Sequence, residues 1–324
     1  ASADDVCDII SYTPFEIASP VFTGSATFNE GSADADFRVE SNGNENMLFV
    51  DGGNNRVGIG TNTPQVGTLH VHTATAGTVT ASPQADDLVV ESNTEAGITI
   101  LSPDDQSARI RFSSPSTNTE VGGASIFYRQ NLNKMSIGTA VTGGTMILRS
   151  GADVDAVVCN GAGIVTMPLQ PAFLAHLSAT LSNLTTGSPE TTIKFDSEIF
   201  DQNGDFTVAT GNGQGADNNN LRGAFTAPVT GKYQFNFHFR LNTVQNDINF
   251  MYFFIKSSNR NYTNIFEYSG ADDAAYYTVT LSVLADMDED DTAYVNAYQS
   301  GGSAETDIEG GTSNASFFSG YLVA

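Results

Sequence analysis

Two short segments carry residue types from which a reactive or metal-binding site could be built. Leu69-His70-Val71-His72 places two imidazoles at i and i+2. On a strand these positions share a face, so both rings point the same way, and neutral imidazole is a common metal ligand. The run Asp286-Met287-Asp288-Glu289-Asp290-Asp291 sets carboxylates at alternate positions, with Asp288 and Asp290 as oxygen donors for a divalent cation such as Ca2+. It lacks the glycine at position six and the glutamate at position twelve of a calcium loop, so it is not an EF-hand. A solvated acidic turn is the plainer reading. Arg260 and Tyr262, in Ser258-Asn259-Arg260-Asn261-Tyr262, are contact candidates, because Tyr and Arg dominate binding hot spots; packing on the surface is their alternative. No catalytic residue is assigned. The chain has four histidines, but no Gly-x-Ser-x-Gly elbow leads into a helical pattern. Gly58-Ile59-Gly60 sits in a strand pattern with no helix following, which argues against a dinucleotide fingerprint and for a tight crossing or a bulge. Carboxylates are so frequent that no pair stands out as a glycosidase dyad.

The composition narrows the partners. The 324 residues suffice for two or three domains. Lys plus Arg is 13 and Asp plus Glu is 37, a net charge of −24. No basic stripe is visible to neutralise phosphates, so nucleic acid is not an expected partner. The same charge repels anionic cell surfaces, so attraction between unlike charges is not expected to drive contact with a host. Salt shrinks the screening length to about 3 Å at 1 M, so the chain suits saline water. Charged residues are only 15 % of the total, which describes a Gly/Asn/Thr/Ser-rich β protein and not a disordered polyelectrolyte. Cys7 and Cys159 lie far apart in sequence and read as two unpaired thiols. No apolar run approaches the roughly 18 residues of a bilayer span, and the start is not a basic-then-apolar leader, so no membrane insertion is expected.

The elements that must position these groups are strands. Over residues 25–168, strand patterns are broken by Gly, Asn and Asp. Phe37-Arg38-Val39-Glu40-Ser41-Asn42 is nearly repeated by Leu88-Val89-Val90-Glu91-Ser92-Asn93. A strand–turn–strand unit over 48–61 lines up with 126–139, and more loosely with 157–166. Each copy reads as a hairpin. An isolated hairpin is marginal in water, so repeated hairpins must stack or pair between chains. Val50-Asp51-Gly52-Gly53-Asn54-Asn55-Arg56-Val57-Gly58-Ile59-Gly60-Thr61-Asn62-Thr63-Pro64 resembles the stem repeat of bacteriophage fibres and spikes. Ser19-Pro20-Val21-Phe22-Thr23-Gly24 resembles an element of phage tail-fibre stems. These resemblances imply trimers whose chains share one core. With an inward His-x-His face, six imidazoles would surround the axis and could hold an axial metal ion, as in some phage fibre needles.

Met167-Pro168-Leu169-Gln170-Pro171 marks a hinge. Beyond it, aromatics fall at every second position from Tyr233 to Phe239, the period of a half-buried strand. Pro228-Val229-Thr230-Gly231 is the turn that feeds it. The apolar ending Phe317-Phe318-Ser319-Gly320-Tyr321-Leu322-Val323-Ala324 reads as a buried strand. The expected core is Phe225, Tyr233, Phe235, Phe237, Tyr294, Phe317 and Tyr321, or the alternating members of that set. Polar loops are expected at 211–220, 257–264 and 300–314. Phe225-Thr226-Ala227-Pro228-Val229-Thr230-Gly231-Lys232-Tyr233-Gln234-Phe235 and Phe318-Ser319-Gly320-Tyr321-Leu322 resemble the C1q/TNF-like globular head. Pro171-Ala172-Phe173-Leu174-Ala175, Ile193-Lys194-Phe195-Asp196, Leu281-Ser282-Val283-Leu284 and Ala293-Tyr294-Val295 carry the same resemblance. It covers roughly residues 169–324. It implies a ten-stranded jelly roll that assembles as a trimer, with its first and last strands near the threefold axis.

The expectation is therefore an all-β protein. Residues 1–24 form an N-terminal segment joining it to other virion proteins, residues 25–168 a trimeric β stem of short hairpins, and residues 169–324 the jelly-roll head. The expected function is a non-enzymatic, homotrimeric phage fibre or spike at the virion surface, whose head binds a host-surface glycan or protein. A cellular adhesin or filament subunit is one alternative. A polysaccharide-cleaving tailspike is another, but the parallel β-helix or acid pair it needs is not visible. No cofactor is expected beyond a Ca2+ or axial metal ion.

Overall fold

The computed structural model describes residues 27–29, 31–65, 67–78, 80–114, 123–215, 223–313 and 315–324. The expected attachment segment 1–24 and Cys7 lie outside the described residues. The chain divides into two units, residues 1–108 and 109–324. The expected boundary at 168/169 falls inside the second unit.

The first unit holds one sheet of five strands in chain order: β1 (Phe37–Val39), β2 (Leu48–Asp51), β3 (Arg56–Ile59), β4 (Leu69–His72) and β5 (Leu88–Glu91). β2 and β3 pair antiparallel, Phe49 opposite Gly58. The Asp51 carboxylate closes their turn by accepting from the Asn54 N–H at 2.8 Å, and Asn55 takes the left-handed conformation, φ 56°. β3, β4 and β5 instead run parallel. Parallel neighbours need a crossover, and here the connections are loops without a helix. Gly60 permits the first of them. Its φ is +84°, and a Cβ there would lie 2.3 Å from the His72 carbonyl oxygen.

Two three-stranded sheets follow, the first of them beginning at Ser107, just before the division between the units. One comprises β6 (Ser107–Phe112), β7 (Ala124–Arg129) and β8 (Lys134–Thr139); the other comprises β9 (Met146–Ser150), β10 (Val154–Cys159) and β11 (Val165–Thr166). β7 and β8 pair antiparallel from Ala124↔Thr139 to Arg129↔Lys134, and Asn133 at φ 45° turns the chain between them. Phe112, Met135, Ile137, Leu148 and Val165 are all more than half exposed. Cys159 is a free thiol.

The remaining thirteen strands form a jelly roll of two facing sheets. They are β12 (Ala172–His176), β13 (Thr191–Lys194), β14 (Ser197–Asp201), β15 (Phe206–Thr207), β16 (Gly213–Gly215), β17 (Ala224–Thr226), β18 (Gly231–Val244), β19 (Ile248–Ser257), β20 (Asn261–Phe266), β21 (Ala274–Met287), β22 (Thr292–Gly301), β23 (Asp307–Ile308) and β24 (Phe317–Leu322). One sheet runs β14-β12-β24-β18-β21, with β23 also on β18. The other is built on β22, with β19 along one edge and β17 and β13 sharing the opposite edge. Alternation along β18 sends Tyr233, Phe235, Phe237, Phe239 and Leu241 inward. They meet Phe173, Phe195, Phe225, Phe253 and Phe318, and Phe173 stacks on Phe206 and Phe225 at 4.6 and 5.2 Å.

The expected core needs correction at its end. Phe225, Tyr233, Phe235 and Phe237 are buried, but Tyr294 and Phe317 are half-buried and Tyr321 is 48 % exposed. Phe318 fills the core instead. The reason is register: Phe173, whose side chain is buried, pairs with Gly320, so Phe318 and Gly320 share the inner face. A Cβ on Gly320 would lie 2.5 Å from Phe235 and 2.8 Å from Phe173, so only glycine fits.

This register predicts opposite outcomes for adjacent residues. Phe318→Ala should destabilise the head by about 3–5 kcal/mol; Phe317→Ala, on the outer face, should cost clearly less. Denaturant unfolding of a fragment beginning near residue 169 checks both.

Candidate functional site

The strand parity that fills the core also builds the outer face. Phe173 and Ala175 point inward, so Leu174 and His176 point outward. Leu174 pairs with Ser319 and His176 with Phe317, and Leu174 pairs with Phe200 on its other side. These residues, with Ile199, Asn236 and Tyr321, line an open groove of about 560 Å³. Ile199 and Phe200 are about half exposed. The His238 ring stacks on Phe317 at 5.4 Å, the planes 9° apart. Towards β21 the face becomes polar. Gln234 Nε2 donates to Ser282 Oγ at 2.8 Å, and Ser282 Oγ donates to Asn236 Oδ1 at 2.8 Å. Arg240 forms a two-pronged ion pair with Glu309. The lining is mostly apolar and aromatic, with His176, Asn236 and Ser319 as its polar groups. Phe317 and Tyr321 were expected in the core and the other lining residues were not singled out, although the alternation in Ala172–His176 was the available signal.

The two loop-based candidates of the head meet at one edge. Arg260 donates through Nε and a terminal nitrogen to the Asp286 carboxylate, so the expected contact cation is already paired. Asn259 Nδ2 donates to the Asp286 carbonyl at 3.1 Å and to Asp291 Oδ2 at 2.9 Å. Asp291 Oδ2 also accepts from the Asp288 N–H at 2.9 Å, and Asp290 sits at φ 69°. Asp286 and Asp288 share a recess with Lys232. Tyr262 is not on a loop. β19 runs to Ser257 and β20 starts at Asn261, so only three residues connect them. Tyr262 lies opposite the buried Ile255 and packs half-buried against the core. The pattern Tyr262, Asn264, Phe266 was masked by polar Asn261 and Thr263.

In the first unit His70 and His72 do share a face, with ring centroids 5.3 Å apart. That face is covered. His70 is 3 % exposed, its Nε2 lies 2.8 Å from Glu91 Oε2, and His72 Nε2 lies 3.2 Å from Thr75 Oγ1. The two Nε2 atoms are thus engaged within one chain, whereas His70 Nδ1 and His72 Nδ1 are buried without a hydrogen-bond partner among the described residues. The Ala76 N–H, followed by His70, holds the Glu91 carboxyl below its ordinary range, against the opposing effect of burial. Thr61, Thr63 and Gln65 complete a polar cavity of about 160 Å³ around these groups. Among the described residues, no group of three or more His, Cys, Asp or Glu side chains is arranged to hold a metal ion.

Residues 172–323 match the family model of the C1q domain. Among solved structures, the globular domain of a zebrafish complement 1qA protein is 15 % identical, with a TM-score of 0.32, over 48 % of this chain and 98 % of that one. Murine APRIL is 10 % identical, with a TM-score of 0.31, over 48 % of this chain and 99 % of that one. No curated protein matches the chain. Residues 172–323 are thus similar to the C1q domain, and their fold is an all-β, C1q/TNF-like jelly roll. Domains of this kind are typically trimeric, non-enzymatic, receptor-binding modules that are extracellular or secreted.

The Arg260 contact, chiefly its hydrogen bonds, lowers the Asp286 pKa from the ordinary value. A depressed carboxyl contributes stability above its unfolded pKa and loses it as pH falls through the folded value. Arg260→Ala should move the Asp286 titration up towards the usual value of about 3.9 and reduce that acid-side dependence. Carboxyl-carbon NMR titration reads it; an unmoved Asp286 would show that the pair does not form in solution.

Proposed function

We propose that the protein is a non-enzymatic structural component of a virion, a homotrimeric bacteriophage fibre or spike. The single observation that supports assembly is the apolar groove beside the first and last strands of the jelly roll. Leu174, Ile199, Phe200, Phe317 and Tyr321 line it, and Ile199, Phe200 and Tyr321 are about half exposed. Covering such a face removes apolar surface from water at about 25 cal/mol per Å². The small sheets β6–β8 and β9–β11 have the same need, since both expose large apolar side chains. The phage assignment rests on the stem-like repeat Val50–Pro64 and on the Ser-Pro-x-Phe-Thr-Gly element. In this reading residues 1–24 join the virion, residues 25–168 set reach, and the C1q-like head meets a glycan or protein on the host. Three heads on one stem raise effective concentration without tightening any single contact.

Sedimentation of the full chain should give a trimer at micromolar concentration. Phe200→Asp with Tyr321→Asp should weaken it, because charge would be buried at the interface. A folded, stable wild-type monomer overturns the assembly. Antibody to the head should label fibres or spikes on phage particles, and unlabelled particles overturn the virion role. Purified head should adsorb to host cells, with Arg260→Ala, Tyr262→Ala and a chelator as comparisons. A head that binds no cell removes the receptor role.

A further inference from the structure

One surface in the second unit reverses the sign of the chain. The Arg109 guanidinium lies 5.6 Å over the Phe127 ring, which places the odd-numbered residues of β6 on the Phe127 side of the sheet. Phe112 shares a groove with Ala124 and Thr139, which places the even-numbered ones on the other side. Residues two apart on a strand share a face, so Arg111 and Arg129 join Arg109, and Lys134 joins them as the direct cross-strand partner of Arg129. Four of the 13 basic residues therefore stand together around Phe127. Ile110, Phe112, Tyr128, Met135 and Ile137 occupy the opposite face.

This cationic face is uncompensated among the described residues. Among the described residues no carboxylate pairs with any of the four, although the chain has 37 acidic residues. Like charges directly opposite on neighbouring strands destabilise a sheet, yet Arg129 and Lys134 occupy that position. Arg129 Nε is buried without a hydrogen-bond partner. A bound anion would remove all three penalties.

We propose that this face binds an acidic polysaccharide, through sulfate, carboxylate or phosphate groups on successive sugars. Arg109 and Arg111 stand about 6.6 Å apart along their strand, and neighbouring strands about 4.8 Å apart, a rail suited to an extended polymer. Guanidinium groups hold such oxyanions in a two-pronged fashion. Duplex nucleic acid fits less well. It carries a charge about every 1.7 Å of axis, most of which would lie against a chain of net charge −24. A second copy of this chain is better suited to the opposite, apolar face, and association there leaves the cations outward. The inference concerns a different surface from the head groove and stands whether or not the head binds a receptor.

The test is fluorescence anisotropy of the full chain with labelled dextran sulfate, carboxymethyl dextran, neutral dextran and duplex DNA, at low and high salt. At least one anionic dextran should bind, neutral dextran should not, and salt should weaken binding. Arg109→Gln with Arg111→Gln should weaken it by about threefold to thirtyfold, the equivalent of two exposed ion pairs. Arg109→Lys with Arg111→Lys should retain most of it. Arg149→Gln, whose guanidinium is paired with Asp155 outside this face, should bind as wild type. Lys134→Gln gives an independent variant should the double Gln change lower the melting temperature. The stronger of the two anionic dextrans identifies the anion. Failure of the wild type to bind either anionic dextran overturns the proposal. So does unchanged binding by a folded Gln variant, or tighter binding of DNA than of both dextrans.

Discussion

The insertion of β24 between β12 and β18 is the constraint on which the jelly roll depends. It joins two half-sheets, β14-β12 and β18-β21, that otherwise share no ladder. It brings together segments about 150 residues apart, as the Gln170–Leu322 hydrogen bond also does. The entropy of closing so long a loop grows only slowly with its length, and the burial of Phe318 against Phe173, Phe195 and Phe235 offsets it. Gly320 is the fixed point. With any side chain there, β24 could not approach the aromatic layer. Because a strand shows alternate residues to alternate faces, the choice that buries Phe318 also exposes Tyr321. Core and groove are two sides of one register.

What the sequence revealed follows from this geometry. The strand Tyr233–Phe239 was legible because its two faces differ in polarity, aromatic inward and Gln234, Asn236 and His238 outward. The parity of β24 was not, because Phe317 and Phe318 are both aromatic and hydrophobicity cannot choose between them. β20 was read as loop because its outward positions Asn261 and Thr263 are turn-like residues. The parallel pairing of β3, β4 and β5 was hidden for another reason. Each strand has only four residues, too few to distinguish a hairpin partner from a crossover partner. For the site candidates, residue type was legible but pairing was not. Nothing local to Arg260 announces Asp286, 26 positions away.

Charge shows the same limit. A net charge of −24 describes the chain at long range, where salt screens it within about 8–10 Å. It does not describe a face. Arg109, Arg111, Arg129 and Lys134 never form a run in sequence, so a search for basic stretches passes over them. The β6–β7–β8 sheet gathers them by alternation and pairing alone.

The place of β24 in the sheet has a further consequence during synthesis. Chains leave the ribosome N-terminus first, and β24 follows all the other strands of the head. Until it arrives, β12 and β18 each present an open edge, and open edges are templates for pairing with other chains. Up to that moment the half-made head has its aromatic layer uncovered on one side. A nascent chain in this state is exposed to cross-pairing with its neighbours on the same message. Those neighbours are also the partners that a homotrimer requires, so the order of translation sets how narrowly assembly and misassembly are separated in time.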